Sequence, residues 1–325
     1  MAKENSFILI QMMKPFTEVI KTGYGSYTAN DWTKLRKSKG LNKTCMVKNV
    51  FTNKIPPSKN ECRNITRESR DSVDSPQSTP IIIGFDVTSS MGFLAKELAV
   101  NSLNKTILSL YENHPVSCPH ILCGAVGDCK SDRFPLQVTQ FEADIRIIEQ
   151  LTGLYIEGGG GGNDGESYNL LWYFAARHTK TDCFEKRRKK GFLFTIGDDL
   201  CHEGLNVSEI ETVFGDKVPY SLSNTELLRE AKEKYHVFHI HIETENSFGK
   251  NILSKWQRLM PGKATAISRN DTEYLSELIT SVISVTEGIN PKDVLNTLEP
   301  AASVKIMEPL ALIDTQNKQT KTIIF

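Results

Sequence analysis

The hydrophobic pattern of the chain changes near residue 80, where short apolar runs begin to alternate with segments of helical periodicity. The run at residues 81–85 is continuous, which is typical of a strand buried on both faces of a parallel sheet. Similar runs predict further strands at residues 120–126, 136–141, 154–156, 192–196 and 237–242. Apolar residues at helical spacing predict helices at residues 92–112, 142–151, 167–178, 222–235, 253–260 and 273–286.

This alternation of strands and helices predicts an α/β fold: a doubly wound, mainly parallel sheet with helices on both faces, similar to a Rossmann fold. We assign it to residues 78–290. Residues 1–77 are polar and partly basic; they predict an N-terminal accessory segment with some β content, including strands at 7–11 and 46–52, and a polar linker. Residues 291–325 are interpreted as a C-terminal helix and tail, with little pattern beyond residue 300.

Charge and cysteine content restrict the class of protein. The 39 Lys and Arg residues balance the 39 Asp and Glu residues, so no bulk attraction favours nucleic acid or an acidic membrane surface. We find neither an apolar run long enough to span a bilayer nor the features of a signal peptide. The seven cysteines are odd in number and irregularly spaced, which favours unpaired thiols in a reduced compartment. We therefore expect a soluble cytoplasmic protein.

Polar residues follow three of the predicted strands, at the edge where ligands bind in open α/β sheets. Asp86, Thr88 and Ser90 alternate directly after the first strand, so that one carboxylate and two hydroxyls can converge. Asp198 follows the strand at 192–196. Such oxygen donors suit a hard cation, Mg²⁺ or Mn²⁺.

Two further loops can add carboxylates to this edge. A glycine tract at 158–162 leads into Asp164 and Glu166. Asp128 follows the strand at 120–126, where it can act as an outer partner of the ion ligands. The alternative for Asp86, Thr88, Ser90 and Asp198 is a role in capping the helices that follow, without a metal.

Other motifs allow other chemistry. The glycine tract formally matches a dinucleotide fingerprint, but no Gly-Lys-Ser/Thr follows, and acidic residues at the helix start would repel a pyrophosphate.

His239 and His241 share one face of a predicted strand and His236 lies on the other, which suits histidines that are hydrogen-bonded within the sheet better than a zinc site. Cys201 and His202 could form a catalytic pair, although adjacent residues of an extended chain diverge. The basic run 186–190 fits the solvated end of a helix or, alternatively, a phosphate or partner patch.

The Asp86-x-Thr88-x-Ser90 motif, the later glycine-rich loop and Asp198 after a buried strand resemble the von Willebrand factor A (VWA) family and its metal-ion-dependent adhesion site (MIDAS). The resemblance covers residues 78–290 and is nearest to intracellular members, bacterial or fused to alpha-kinases. Such members carry an acidic, glycine-rich second loop, as at 158–166 here, and a stretch similar to 199–202. The usual second-loop threonine is not evident, and Asn163, Asp164, Glu166 and Ser167 are the candidates to replace it.

The resemblance implies an interaction module, not an enzyme, that binds an acidic side chain of a partner protein through Mg²⁺ or Mn²⁺. It also implies AAA+ ATPases or kinases as possible partners. One rival is a metal-dependent phosphohydrolase using Asp86, although Thr88 stands where haloacid-dehalogenase-like phosphatases carry a second Asp. Another is a metal-free VWA scaffold, which the missing threonine favours.

Overall fold

The computed structural model of the protein describes residues 20–22, 25–27, 62–88, 91, 103–143, 146–151, 154, 165–244 and 251–314. Several predicted features lie outside these residues: Ser90, Asp164, the glycine tract, the strands at 7–11 and 46–52, and the first part of the helix at 92–112.

The strands, in chain order, are β1 (Ile20–Thr22), β2 (Gly25–Tyr27), β3 (Arg67–Ser69), β4 (Thr79–Asp86), β5 (Pro119–Val126), β6 (Leu136–Val138), β7 (Thr179–Thr181), β8 (Gly191–Gly197), β9 (Gly204–Leu205), β10 (Leu222–Ser223), β11 (Tyr235–Glu243) and β12 (Ala264–Ser268). The helices are α1 (Leu103–Asn113), α2 (Arg146–Leu151), α3 (Tyr168–Arg177), α4 (Asp182–Arg187), α5 (Val207–Phe214), α6 (Asn224–Lys234), α7 (Ile252–Leu259), α8 (Leu275–Thr286), α9 (Pro291–Asn296) and α10 (Pro300–Ala311), with a 3-10 helix at Arg269–Tyr274 before α8.

A six-stranded sheet in the described part of the chain has the order β12-β11-β8-β4-β5-β6. Neighbouring strands are parallel except β5 and β6. β5 lies on one side of β4 and β8 on the other. The connections that lead from β4 to these two strands therefore run in opposite directions along the sheet. The carboxyl end of β4 is therefore the switch point at which α/β folds open a binding crevice.

The core lies on both faces of this sheet, as the continuous apolar strands predict. Ile81, Ile83 and Phe85 pack on one face with side chains of α1, α8 and α10. Ile82 points to the other face and packs with side chains of α3, α5, α6 and α7. Each large side chain buried in this way contributes about 1.5–3 kcal/mol. The α/β, mainly parallel architecture with helices on both faces is confirmed.

Gly84 lets α3 lie directly against β4. A Cβ atom at Gly84 would stand 2.1 Å from Cδ2 of Leu171, so a larger residue would force the Leu171 side chain of α3 to move. This close approach brings Tyr168, the first residue of α3, to the carboxyl end of β4.

Residues 62–78 pack against the sheet and its helices through polar contacts. Strand β3 pairs in parallel with β7. The ring of buried His120 lies between two buried hydroxyls, 3.1 Å from Ser69 Oγ and 2.8 Å from Ser75 Oγ. Arg67 donates to the carbonyl of Thr139 over 3.0 Å. The unit boundaries predicted at residues 77 and 290 stay predictions.

Asp182 anchors the same segment to α4. Its buried carboxylate accepts from Arg70 over 2.9 Å, from Lys186 over 2.7 Å and from the Asp71 backbone N–H over 2.9 Å. Burial by itself would raise the pKa of Asp182, but these donors outweigh it and hold the pKa well below its usual value.

We expect the substitution Asp182→Asn to lower the free energy of unfolding at pH 7 by about 1–3 kcal/mol, because charge-assisted hydrogen bonds are lost. A lowered carboxyl pKa stabilises the fold above the unfolded value near pH 4, and this contribution is lost as the pH falls through the folded value. The difference between wild type and Asp182→Asn should therefore shrink below about pH 4 in urea unfolding series. Asp74→Asn, an exposed change in the same segment, is the control and should show no such trend. A pH-independent difference would contradict the prediction.

Several sequence predictions need correction. The strand expected at 136–141 stops at Val138 and is antiparallel. Leu154, expected in a strand, lies in a bend. Residues beyond 300 are predicted to be a tail with little pattern, but residues Pro300–Ala311 form α10, whose buried residues Ala302, Ile306 and Leu310 pack on the body. The prediction missed β7, β9, β10, β12, α4 and α5. In the described part of the chain, no helix combines the length and apolar character needed to cross a membrane.

Candidate metal centre

The sheet brings three predicted carboxylates to one edge. Asp86 is the last residue of β4, Asp198 directly follows β8, and Asp128 lies two residues beyond β5. Because these strands are parallel neighbours, their carboxyl ends meet at the switch point. All three residues are buried, with Asp86 fully so.

Asp86 is held by three donors. Its Oδ1 accepts from the Thr88 backbone N–H over 2.8 Å and from the Thr88 hydroxyl over 2.6 Å. Its Oδ2 accepts from the Tyr168 hydroxyl over 2.8 Å. The Thr88 hydroxyl donates its hydrogen to Asp86, and a hydroxyl oxygen is a type of ligand that hard cations accept.

Glu166 stands between the loops that follow β5 and β8. Its N–H donates to the carbonyl of Leu200 over 2.7 Å, and its carbonyl accepts from the His202 N–H over 3.1 Å. Its side chain is 7% exposed, and Oε2 has no hydrogen-bond partner among the described residues. A buried carboxylate oxygen without a partner is unfavourable by several kcal/mol unless a proton or a cation satisfies it.

The carboxylates act on one another. Burial raises the pKa of Asp86; the charge of Asp198 raises it further, against the hydrogen bonds from Thr88 and Tyr168. Burial also raises the pKa of Glu166, as do the charges of Asp86 and Asp128, against the Thr88 hydroxyl. No lysine or arginine is among the leading influences on these two groups within the described residues. Within the described residues, the edge therefore groups acidic side chains whose ionisation is opposed by burial and by their mutual repulsion, and a bound cation would favour their charged forms.

Asp128 lies beside Glu166 and is paired with His202. Its Oδ1 is 2.8 Å from His202 Nε2, and both side chains are nearly inaccessible to solvent. Asp128 also accepts from the Lys130 N–H over 3.0 Å and from the Ser131 hydroxyl over 3.1 Å. Asp128 thus contacts the loops around the carboxylate cluster.

These residues fit a hard divalent cation. The donors that converge are oxygens only, from Asp86, Thr88, Glu166 and Asp198, and one of them is a buried, unpartnered carboxylate oxygen. Within the described part of the chain, no three His, Cys, Asp or Glu side chains are placed to enclose an ion by themselves. A bound ion would therefore also need hydroxyl oxygens and water, which is the coordination that Mg²⁺ favours in proteins.

The structure thus places Asp86, Thr88, Glu166 and Asp198 together, with Asp128 next to Glu166. Ser90 and Asp164 lie outside the described residues, so their roles as ligands stay predictions. Which second-loop residue completes a site was open from sequence; of the two described candidates, Glu166 lies next to Asp86, whereas Ser167 contacts Asp128 and Cys129.

The other candidate motifs are placed differently. His239 stacks on Trp256 with ring centroids 3.6 Å apart, and its Nδ1 is 2.9 Å from the Thr195 hydroxyl. His239 Nε2 and His241 Nδ1 are buried and lack partners among the described residues, so these histidines are only partly satisfied. Cys201 and His202 diverge as expected, because the thiol points to Asn224 and the imidazole to Asp128.

Sequence analysis missed two residues of this site. Tyr168 lies in a helix whose residues 168–176 are all buried, so no polar stripe indicates which side chain reaches Asp86. Gly197 allows that contact, since a Cβ atom there would stand 1.9 Å from the Tyr168 hydroxyl and 2.8 Å from Cβ of Asp86. A glycine directly before a candidate ligand at a strand end is the one signal that could have indicated this close approach.

Comparison with known proteins identifies no family. No family model matches the chain, and no curated protein matches it. Solved structures do resemble it. One is the pilus adhesin SpaC from Lactobacillus rhamnosus GG in an open conformation, with 10% identity and a TM-score of 0.42 over 70% of this chain and 31% of that chain.

Proximal thread matrix protein 1 from the mussel byssus is another similar structure. Its crystal form 2 has 12% identity and a TM-score of 0.39, over 69% of this chain and 49% of that chain. A second structure of this mussel protein, with a zinc-occupied MIDAS motif, has 12% identity and a TM-score of 0.36, over 69% of this chain and 48% of that chain. The chain therefore spans between 31% and 49% of the length of these proteins. At such identities and scores these structures give no information on what the chain binds.

Proposed function

We propose that this chain is a VWA-like interaction module, which binds Mg²⁺ or Mn²⁺ at the carboxyl edge of its sheet and, through the ion, an acidic side chain of a partner protein. The observation that carries this proposal is the buried Glu166 oxygen without a partner, next to Asp86 and Asp198. A cation at this edge would satisfy the unpartnered Glu166 oxygen and would favour the charged forms of the buried carboxylates around it.

Asp86, Thr88 and Asp198 would hold the ion, together with Ser90 of the sequence motif. Glu166 would take the place of the second-loop threonine, with its free oxygen as the contribution. The ion supplies a Lewis-acidic position for an anionic oxygen from outside the chain. The chain's own residues orient that position, because Thr88 and Tyr168 fix both oxygens of Asp86.

We propose binding rather than hydrolysis for two reasons. Thr88 stands where a phosphatase of the haloacid-dehalogenase type would need a second acid, and Asp86 accepts hydrogen bonds at both oxygens. A nucleophilic carboxylate needs one oxygen directed at its substrate.

The free cysteines of the described residues support a reducing, cytoplasmic location. The VWA resemblance makes AAA+ ATPases and kinases the first partner classes to assay.

Selection of displayed random peptides on the immobilised chain tests this function. With Mg²⁺ present, we expect the selected peptides to share an Asp or Glu, and their binding should disappear in EDTA. Changing that residue to Asn or Gln in the peptide should weaken binding at least about tenfold, equivalent to about 1.4 kcal/mol. Peptides that bind equally well in EDTA, or without a carboxylate, would refute the proposal.

A further inference from the structure

His202 and Asp128 form an almost fully buried pair next to the candidate centre. His202 Nε2 is 2.8 Å from Asp128 Oδ1, and the two side chains are 4% and 2% exposed. The other ring nitrogen, Nδ1, is 3.1 Å from the ammonium of Lys130. An ammonium group only donates, so Nδ1 accepts and Nε2 carries the hydrogen that it donates to Asp128. Lys130, His202 and Asp128 thus form a directed chain from the surface to the buried loop.

The same pair connects the loops on either side of Glu166. Asp128 follows β5, while His202 belongs to the loop after β8, and Glu166 lies between them through backbone bonds to Leu200 and His202. Ser167 adds a second connection: its N–H donates to the carbonyl of Gly127 over 3.2 Å and its hydroxyl accepts from the Cys129 N–H over 2.9 Å. Glu166 is therefore bonded to the loop after β8 and the adjacent Ser167 to the loop after β5, and the His202–Asp128 bond links these two loops.

We propose that His202 and Asp128 are positioning residues, which fix the backbone around Glu166 and so keep its buried carboxylate next to Asp86. The pair contacts no ion itself in this arrangement. The effect of this pair on ion binding rests on the function proposed above. Its effect on the backbone around Glu166 is a property of the metal-free protein and is measured without an ion.

The test uses the full chain with His202→Ala, His202→Gln and Lys130→Met. Amide hydrogen exchange in EDTA reports the Glu166 N–H bond to Leu200, and titration with Mn²⁺ reports affinity. His178→Ala is the matched control, because His178 forms the same type of pair, 2.9 Å from Asp216, at the far end of α3. That end lies about 15 Å from Tyr168, given the rise of 1.5 Å per residue.

For His202→Ala, we expect at least about tenfold faster exchange at Glu166 and a 10–100-fold higher dissociation constant for Mn²⁺, the range known for outer partners of metal ligands. His202→Gln still offers an N–H to Asp128 and should remain near wild type. Lys130→Met changes an exposed side chain, so it keeps the fold, and it should show a smaller increase in exchange. His178→Ala should lower the unfolding temperature while leaving both readouts unchanged.

The outcomes separate the two proposals. Unchanged exchange at Glu166 in both His202→Ala and Lys130→Met, or an equal effect of His178→Ala, would overturn the positioning role. If His202→Ala fails to fold, Lys130→Met and His202→Gln decide the question. If the wild type binds no Mn²⁺ but hydrogen exchange at Glu166 changes in the variants as expected, the positioning role is supported and the proposed function fails.

Discussion

The substitution Asp86→Asn is expected to abolish stabilisation by Mg²⁺ or Mn²⁺ without destabilising the metal-free protein. An amide keeps the size of the carboxylate and can still accept from the N–H and hydroxyl of Thr88, while Tyr168 can accept from its NH₂ group. The change also removes a buried negative charge beside Asp198 and Glu166. Replacing an unneutralised buried charge is neutral or stabilising, here by up to about 2 kcal/mol.

Thermal and urea unfolding in EDTA and in excess ion measure this effect. An ion that binds only the folded wild type stabilises it by about 2.7 kcal/mol at a hundred times its dissociation constant, and Asp86→Asn should gain nothing. Asp182→Asn is the matched control, since it also alters a buried aspartate, but one whose donors include the cationic side chains of Arg70 and Lys186. It should lose stability and keep the full response to the ion. Equal responses of wild type and Asp86→Asn would contradict the assignment of Asp86.

The second large effect is expected for Gly197→Ala, at about 3 kcal/mol of lost stability. The new methyl group would stand 1.9 Å from the Tyr168 hydroxyl, 2.7 Å from its Cζ atom and 2.8 Å from Cβ of Asp86. The tyrosine ring cannot withdraw, because it packs edge-on against Trp256 and His239 with centroids 5.6 and 5.2 Å away. Overpacking at such a site costs about 1–3 kcal/mol and sometimes more.

Two further variants test this steric explanation by urea unfolding. Gly124→Ala is the control in β5, two strands away in the same sheet, where the nearest atom would be 3.2 Å away at the end of the Leu171 side chain, so the loss should stay below about 1 kcal/mol. Adding Tyr168→Phe to Gly197→Ala removes the closest atom and should recover part of the stability. If Gly197→Ala is as stable as wild type, the close contact between β8 and Tyr168 is wrong.

The sheet could be predicted from sequence where its strands are buried on both faces. The strands that contain residues 81–85, 192–196 and 237–242 stand out as continuous apolar runs, and each is a few residues longer in the structure. β12, with the sequence ATAIS, is short and carries small residues, so its hydrophobic signal is weak. α10 was missed because it contains Pro309 and exposes Val304 and Met307, which obscures its buried stripe.

The candidate site was predictable where ligands follow strands directly, since Asp86 and Asp198 end adjacent strands of a parallel sheet. Glu166 could not be distinguished from its neighbours, because only backbone pairing with the loop after β8 shows which of them lies at the edge. The contact of Tyr168 with Asp86 depends on how closely α3 approaches β4, which is set by Gly84 and Leu171 from distant parts of the chain. Contacts of that kind follow from packing and leave no periodic signal.

Direct binding of Mn²⁺ to the EDTA-treated, metal-free protein is the measurement that tests the central claim. Electron paramagnetic resonance follows the free ion as protein is added, with wild type and Asp86→Asn measured side by side. The account predicts that wild type removes about one ion per chain from solution, that excess Mg²⁺ displaces it, and that Asp86→Asn removes none. An undiminished free-ion signal with wild type at millimolar Mn²⁺, or equal binding by Asp86→Asn, would contradict a divalent cation site at this edge.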